Sequence, residues 1–216
     1  MPQNDQSYET DASVKHYYIR GERYDWVTDP RRLERLFHSR RRAATLKCIA
    51  RHKRGSAIVD LGCGTGLITG HLQNGLVVGM DISRWNLERA QTHAPGVAAV
   101  QGDLERLPFA SASFDTVVCT ETLEHVPDPH QALREMWRIL KPGGRLIGSV
   151  PSKTWIWRLR RFTLSTCPRA EPFHHNYSVA EVRKMLMMDH ARVLELFSAV
   201  LGLSVFFVVE KPAPPS

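Results

Sequence analysis

Cysteine is sparse in this chain. There are four in 216 residues, Cys48, Cys63, Cys119 and Cys167, widely separated and with no C-x-x-C pair. That usage gives no disulfide framework and fits reduced, buried or loop thiols in a cytoplasmic protein. No apolar run approaches the ~20 residues a bilayer span requires. The opening MPQNDQSYETD is polar and acidic, unlike a signal peptide. Internal repeats are also lacking. What remains, 43% hydrophobic and 24% charged, is a globular composition. The length suits one domain with a full core and some room for an appended element.

Charge of one sign is locally scarce. Residues 31–54 hold ten Lys/Arg and only Glu34 on the acidic side, and residues 151–175 hold five bases and only Glu171. These stretches net +9 and +4 in a chain of net charge +7, so the rest nets −6. An acidic body with two basic additions points to an anionic partner reached through the additions.

The richest stretch is VDLGCGTG at 59–66. An apolar strand, 57–61, carries Asp60 near its end and breaks into Gly62, Gly64 and Gly66. Glycine permits the sharp turn and lets a ligand approach without meeting a Cβ. A second apolar strand, 76–80, ends at Asp81, which in a βαβ unit sits where a carboxylate can accept both hydroxyls of a ribose. A dinucleotide fingerprint would need a third glycine where Leu67 stands, and a P-loop would need a lysine that is missing. The pattern reads as a site for a nucleoside cofactor.

Further along come GMDIS (79–83), GDLERLPFASASFDTVVC (102–119), ETLEHVPDP (121–129) and LKPGGRL (140–146). Together with the glycine loop these segments, in this order over about 57–150, resemble the class I S-adenosylmethionine-dependent methyltransferases. The similarity is to the small single-domain group that includes the ubiquinone- and menaquinone-biosynthesis methyltransferases. The resemblance implies an α/β fold: a Rossmann-like seven-stranded sheet, mostly parallel with one antiparallel strand, and helices on both faces. It implies S-adenosylmethionine in a pocket built from Gly62, Cys63, Gly64 and Gly66 at the methionyl part. Asp81 then takes the ribose and Ile82 the adenine face. Asp103 takes the adenine amino group, or is simply a turn residue, and the Leu104 amide faces the ring. Asp60 orients the loop amides, and Glu121 lines the pocket. Tyr17, with Tyr18, Tyr24 and Trp26, is either a lid over the cofactor or core packing.

Elements follow from punctuation and periodicity. Asp29-Pro30 starts a helix to about residue 51 that buries Leu33, Leu36, Phe37, Ala44 and Leu46. A helix over 65–73 follows the glycine loop, and Ser83 caps another over 84–94. Strands are expected at 97–101, 115–119 and 146–150. Asp128-Pro129 opens a helix with Leu133, Met136, Trp137 and Leu140 on one face, ended by Lys141-Pro142-Gly143-Gly144. Ser178 with Glu181 makes a capping box for a helix over 179–190, and 192–198 with 203–209 form a hairpin. The division is 1–56 as N-terminal segment and basic lid helix, and 57–210 as catalytic core with an insertion at 151–177. Residues 211–216 read as a disordered tail.

Methyl transfer from a sulfonium is an in-line displacement in which the protein aligns donor and acceptor. A hydroxyl acceptor needs a base or a metal, whereas an amine needs only to be neutral. In Glu121-Thr122-Leu123-Glu124-His125, a helical turn would place Glu121, Glu124 and His125 on one face. His125 and Glu124 are therefore the catalytic candidates. The same three, with His175 arriving from downstream, form a candidate Mg or Mn set, resembling the metal-using 3-demethylubiquinone-type and small-RNA 2′-O-methyltransferases. A structural role for His125 is the alternative.

The aromatic and basic run at 153–162 admits three readings: an anionic membrane surface, a nucleic-acid surface, or a cap helix with core tryptophans. No nucleic-acid module is present, and the Asn/Asp-Pro-Pro-Tyr/Phe motif of base amino-group methylation is missing. The expected function is methylation of a small or lipophilic acceptor, at oxygen ahead of nitrogen. The alternatives are metal-assisted RNA 2′-O-methylation and a non-catalytic partner subunit. Peripheral contact with an anionic membrane is expected ahead of nucleic-acid binding.

Overall fold

The computed structural model describes residues 11–20, 32–72, 75–155, 175–187 and 191–213. Two helices come first, α1 (Asp11–Arg20) and α2 (Arg32–His52). Then follow β1 (Ala57–Leu61), β2 (Leu76–Asp81), α3 (Arg84–His93), β3 (Ala98–Gln101), β4 (Phe114–Thr120) and α4 (Pro129–Ile139). The chain continues through β5 (Leu140–Pro151), α5 (Val179–Met185), β6 (Arg192–Ala199) and β7 (Ser204–Glu210). Asp29-Pro30, Tyr24, Trp26 and most of the insertion, 156–174, lie outside the described residues.

The seven strands form one sheet in the order β3-β2-β1-β4-β5-β7-β6, and β7 alone runs antiparallel to the rest. The expected architecture is therefore present. Strand order reverses beside β1, between β2 and β4. In an open sheet of this kind that is where ligands sit, beyond the carboxyl ends of the strands. Alternate side chains of the central strands feed opposite faces. Val117 and Phe207 join α4 and α5 through Leu133, Met136, Trp137 and Val182, while Val118 and Phe206 meet Cys48 and Ile49 of α2.

Several expectations need correction. The inward stripe of α2 is His38, Thr45, Cys48, Ile49 and His52, and Leu36 is 48% exposed. Its phase is set where Cys48 and Ile49 pack on Ile58, Ile147, Phe206 and Val208, which leaves the apolar stripe rotated partly outward. The helix expected over 65–73 is a turn with a single 3-10 turn at Thr69–His71. Here α3 approaches so closely that a Cβ on Gly66 would lie 3.0 Å from Ala90, and one on Gly70 would overlap the His93 carbonyl oxygen. β5 begins six residues early, through the expected breaker. Phe114 pairs with Leu140 and Thr116 with Arg145, so Lys141 to Gly144 bulge from the ladder. α5 stops at Met185, though its capping box is as expected. The tail is not loose at its start. Lys211 donates its amide to the Gly144 carbonyl, accepts from the Gly143 amide at its own carbonyl, and donates its Nζ to the Trp137 and Leu140 carbonyls.

α1 was not anticipated as a helix. Its Lys15 and Tyr18, one turn apart, share a face.

Candidate active site

The site is assembled at the carboxyl ends of β1, β2, β3 and β4. Leaving β1, the chain turns through Gly62 (φ 70°), Gly64 (φ 52°) and Gly66 (φ 82°). The Gly62 and Cys63 amides both donate to the Met80 carbonyl, at 2.8 and 2.9 Å, which fastens the loop to the end of β2. Asp81 completes that junction. Its Oδ2 accepts from the Gly64 amide at 2.8 Å, and its Oδ1 from the Ser83 amide at 2.9 Å and the Asn86 side-chain amide at 3.1 Å. Burial raises the Asp81 pKa, and these hydrogen bonds pull the other way.

Gly64 is where the backbone is bare toward the cavity. A Cβ built there meets no atom within 4 Å. Gly62 is glycine for another reason, since its Cβ would overlap the Thr122 side chain on the opposite wall.

Asp60 turns away from the cavity. It is buried, accepts the Thr69 hydroxyl at 2.6 Å, and has its pKa raised to about 6 by burial, with the charge of Asp81 adding to the shift. The loop amides are held instead by the Met80 carbonyl and, at Gly64, by Asp81. A raised acid favours the protonated form in the folded state, so Asp60 costs stability as pH rises from about 4 through about 6. Asp60→Asn removes that slope. By chemical denaturation its stability relative to wild type should improve by ~2–3 kcal/mol between pH 4 and pH 7.5. A difference that does not change with pH would contradict this.

On the next wall Asp103 forms an ion pair with Lys15 of α1 at 2.9 Å, and Lys15 also bonds Glu105. Burial lowers the Lys15 pKa, but the bonds to Glu105 and Asp103 outweigh it and leave the pKa raised. Leu104 is buried beside them.

Beyond β4 stands Glu121, with φ 51°, an unusual backbone for a non-glycine residue. That twist aims its carboxylate at Ser149 of β5, whose hydroxyl donates to Oε1 at 2.8 Å, and at Arg41 of α2, which donates to Oε2 at 2.8 Å. Arg41 also contacts His38 Nδ1 at 3.1 Å. Residues Leu123–His125 form a 3-10 turn, not the α-turn assumed from spacing. Glu124 falls inside the protein at 2% exposure, while His125 faces the cavity. Tyr18 of α1 lies 2.8 Å from His125 Nδ1, the two rings 5.1 Å apart, and His125 Nε2 is 3.8 Å from Glu124 Oε1.

A cavity of about 230 Å³ lies between these walls. Of the residues expected there, Gly62, Gly64, Asp81, Ile82, Asp103, Leu104, Glu121 and His125 line it. Asp60, Cys63, Gly66 and Glu124 stand behind the wall as its support. Tyr17 packs edge-on against Tyr18, 5.1 Å between centroids, and Tyr18 takes the lining position. His175 is exposed and reaches the site only through its amide, which donates to the Glu124 carbonyl. The proposed metal set does not converge. Glu121 is already held by a guanidinium, Glu124 is buried and His125 is engaged by Tyr18. Among the described residues no group of three or more His, Cys, Asp or Glu side chains is placed to hold a metal ion.

Lys15, Asn86, Thr122, Val126 and Pro127 line the cavity without having been singled out, and Arg41 braces Glu121. Asn86 carried a readable signal, one turn into the helix that Ser83 caps. Arg41 carried none, being one base among ten in its stretch.

The family model of the methyltransferase domain matches residues 59–148. A ubiquinone biosynthesis O-methyltransferase of Paracidovorax citrulli is 39% identical over 98 residues, 42% of this chain and 41% of that protein. The chloroplastic 2-methyl-6-phytyl-1,4-hydroquinone methyltransferase 1 of Oryza sativa subsp. japonica is 35% identical over 127 residues, 55% of this chain and 38% of that protein. The chain thus spans less than half the length of these curated relatives. The structure of magnesium protoporphyrin IX methyltransferase from Synechocystis, with SAH bound, superposes with a TM-score of 0.68 at 19% identity, over 94% of this chain and 96% of that one. Likeness at that identity speaks for the fold. Motifs, sheet order and the matched domain agree: residues 59–148 carry a methyltransferase domain, set in a sheet of the Rossmann-like methyltransferase fold.

Proposed function

We propose that the chain transfers a methyl group from S-adenosylmethionine to a hydroxyl oxygen of a small or lipophilic acceptor. When bound, S-adenosylmethionine supplies an electrophilic methyl on a sulfonium. The residues fit that ligand on their own chemistry: the buried Asp81 carboxylate suits a ribose, and the bare main chain at Gly64 suits close approach. Glu121, braced by Arg41 on the cavity wall, offers a carboxylate to the amino group of the methionyl part. The protein's own work is alignment and the exclusion of water.

The observation that carries the oxygen preference is the Tyr18–His125 contact on the cavity wall. Proton-accepting groups are required to activate a hydroxyl and are superfluous for a neutral amine. Both curated relatives named above are, by name, quinone-pathway or hydroquinone methyltransferases, which supports a phenolic acceptor.

A lipophilic acceptor is further supported by the rim. Trp155 (71% exposed) comes four residues after the end of β5 and Leu201 (77%) two after the end of β6, both at the carboxyl edge of the sheet, with the exposed cation Lys153 beside Trp155 in sequence. Such a mixture suits peripheral contact with an anionic bilayer. No helix among the described residues is long and apolar enough to cross a membrane. Labelled S-adenosylmethionine incubated with the protein and a lipid extract, and separately with RNA, tests the reading. Label is expected in a lipid-soluble product. Label in RNA alone would replace this acceptor class, and label in neither would remove the proposed activity.

A further inference from the structure

One ring nitrogen of His125 is hydrogen-bonded: Nδ1 faces the Tyr18 hydroxyl at 2.8 Å, while Nε2 lies 3.8 Å from the buried Glu124 carboxylate, beyond hydrogen-bond reach. An acceptor that approaches Nδ1 from the cavity therefore meets the phenol of Tyr18, which itself lines the cavity, before it meets that nitrogen. With Tyr18 as the donor, the ring proton of neutral His125 sits on Nε2, toward Glu124.

We propose that Tyr18 is a catalytic residue, the first member of a proton relay that runs from the acceptor hydroxyl through Tyr18 to His125. The relay rests on the hydroxyl-methylation reading above. As the acceptor oxygen forms its bond to the methyl carbon, the sulfur–carbon electron pair stays on sulfur and the positive charge leaves the donor. The acceptor O–H proton passes to Tyr18 Oη, and the original Tyr18 proton passes to His125 Nδ1. The balance is one methyl gained by oxygen, one thioether released, and one imidazolium formed. Buried Glu124, its Oε1 3.8 Å from Nε2, is the carboxylate placed to form an ion pair with that imidazolium. Tyr18 reaches this position because Lys15, on the same face of α1, is tied to Asp103 and Glu105 on the neighbouring wall. The relay thus depends on a helix that precedes the glycine loop and the later motifs altogether.

Tyr18→Phe removes one hydroxyl and keeps the ring packing. With the lipid-extract fraction that wild type methylates, kcat should fall about 100-fold while KM for that fraction stays within about threefold. Nitrogen-15 spectra of the histidines, with His125 assigned through His125→Asn, should show a single neutral tautomer in wild type and a shifted Nδ1 resonance in Tyr18→Phe. Calorimetry with SAH should give the same affinity in both proteins. A kcat within threefold of wild type overturns the relay whatever the spectra show, and unchanged His125 resonances overturn the contact on which it stands. Loss of transfer by wild type itself would instead strike the hydroxyl-methylation reading.

Discussion

Asp81→Ala is expected to weaken binding of S-adenosylmethionine and SAH by more than about 100-fold, read by titration calorimetry. The carboxylate has two tasks. It holds the Gly64 amide, the Ser83 amide and the Asn86 side chain in place, and in the proposed complex it accepts the ribose hydroxyls. Hydrogen bonds to a charged group contribute ~1.5–3 kcal/mol each, so two lost ribose contacts account for the effect even before the loop relaxes. Stability should fall less than binding. Burying the Asp81 charge is itself unfavourable, as the upward pKa shift records, and alanine removes that cost along with the bonds. Asp81→Asn is a sharper probe. Its shape is retained, but its NH2 would turn a donor toward the Gly64 or Ser83 amide, so affinity should still drop at least tenfold. Wild-type affinity in either variant would dissociate Asp81 from the ligand.

Gly62→Ala should be nearly as damaging, for a steric reason. The residue has φ 70°, which already disfavours a side chain, and an added Cβ would overlap Thr122 Cγ2 and Oγ1 and come within 2.9 Å of Thr122 Cβ. Thr122 has little freedom to yield, because it is β-branched and its hydroxyl donates to the Thr120 carbonyl at 3.0 Å. The loops after β1 and β4 are facing walls of the cavity, so relief comes by driving them apart. A ~3 kcal/mol loss of stability is expected from overpacking and backbone strain together, with SAH affinity down at least 30-fold in the folded fraction. Gly64→Ala separates the causes. It too is strained, at φ 52°, but its Cβ projects into open space, so it should lose ligand affinity with a smaller loss of stability. Equal stability losses in the two variants would contradict this division of roles.

What could be read in advance was local. The strand-loop-strand unit from Ala57 to Asp81 needs only short-range patterns: apolar runs, glycines at the turn and acids at strand ends. Asp81, Gly62 and Gly64 therefore stood where spacing put them. The Glu121 to His125 cluster misled because an α-turn was assumed. With Glu121 at positive φ and a 3-10 turn after it, the three side chains part company, one to Arg41, one to the interior and one to the cavity. Long-range partners were invisible for a different reason. Arg41 meets Glu121 across 80 positions, and Tyr18 meets His125 across 107. Neither pair leaves a periodic trace, and the apolar stripe of α2 pointed to Leu36, away from the face that carries Arg41. Spacing alone does not choose between Tyr17 and Tyr18: adjacent residues on a helix differ by ~100° in direction, and the docking of α1 decides that Tyr18 enters the cavity.

The central claim is that the cavity between β1, β2, β3 and β4 holds a sulfonium-bearing nucleoside. Titrating the wild-type protein with S-adenosylmethionine and then SAH in a calorimeter tests it most directly. The expected result is saturable one-to-one heat for both, with Kd in the micromolar range, abolished by Asp81→Ala. An intact, folded protein that gives no heat with either ligand would contradict the account.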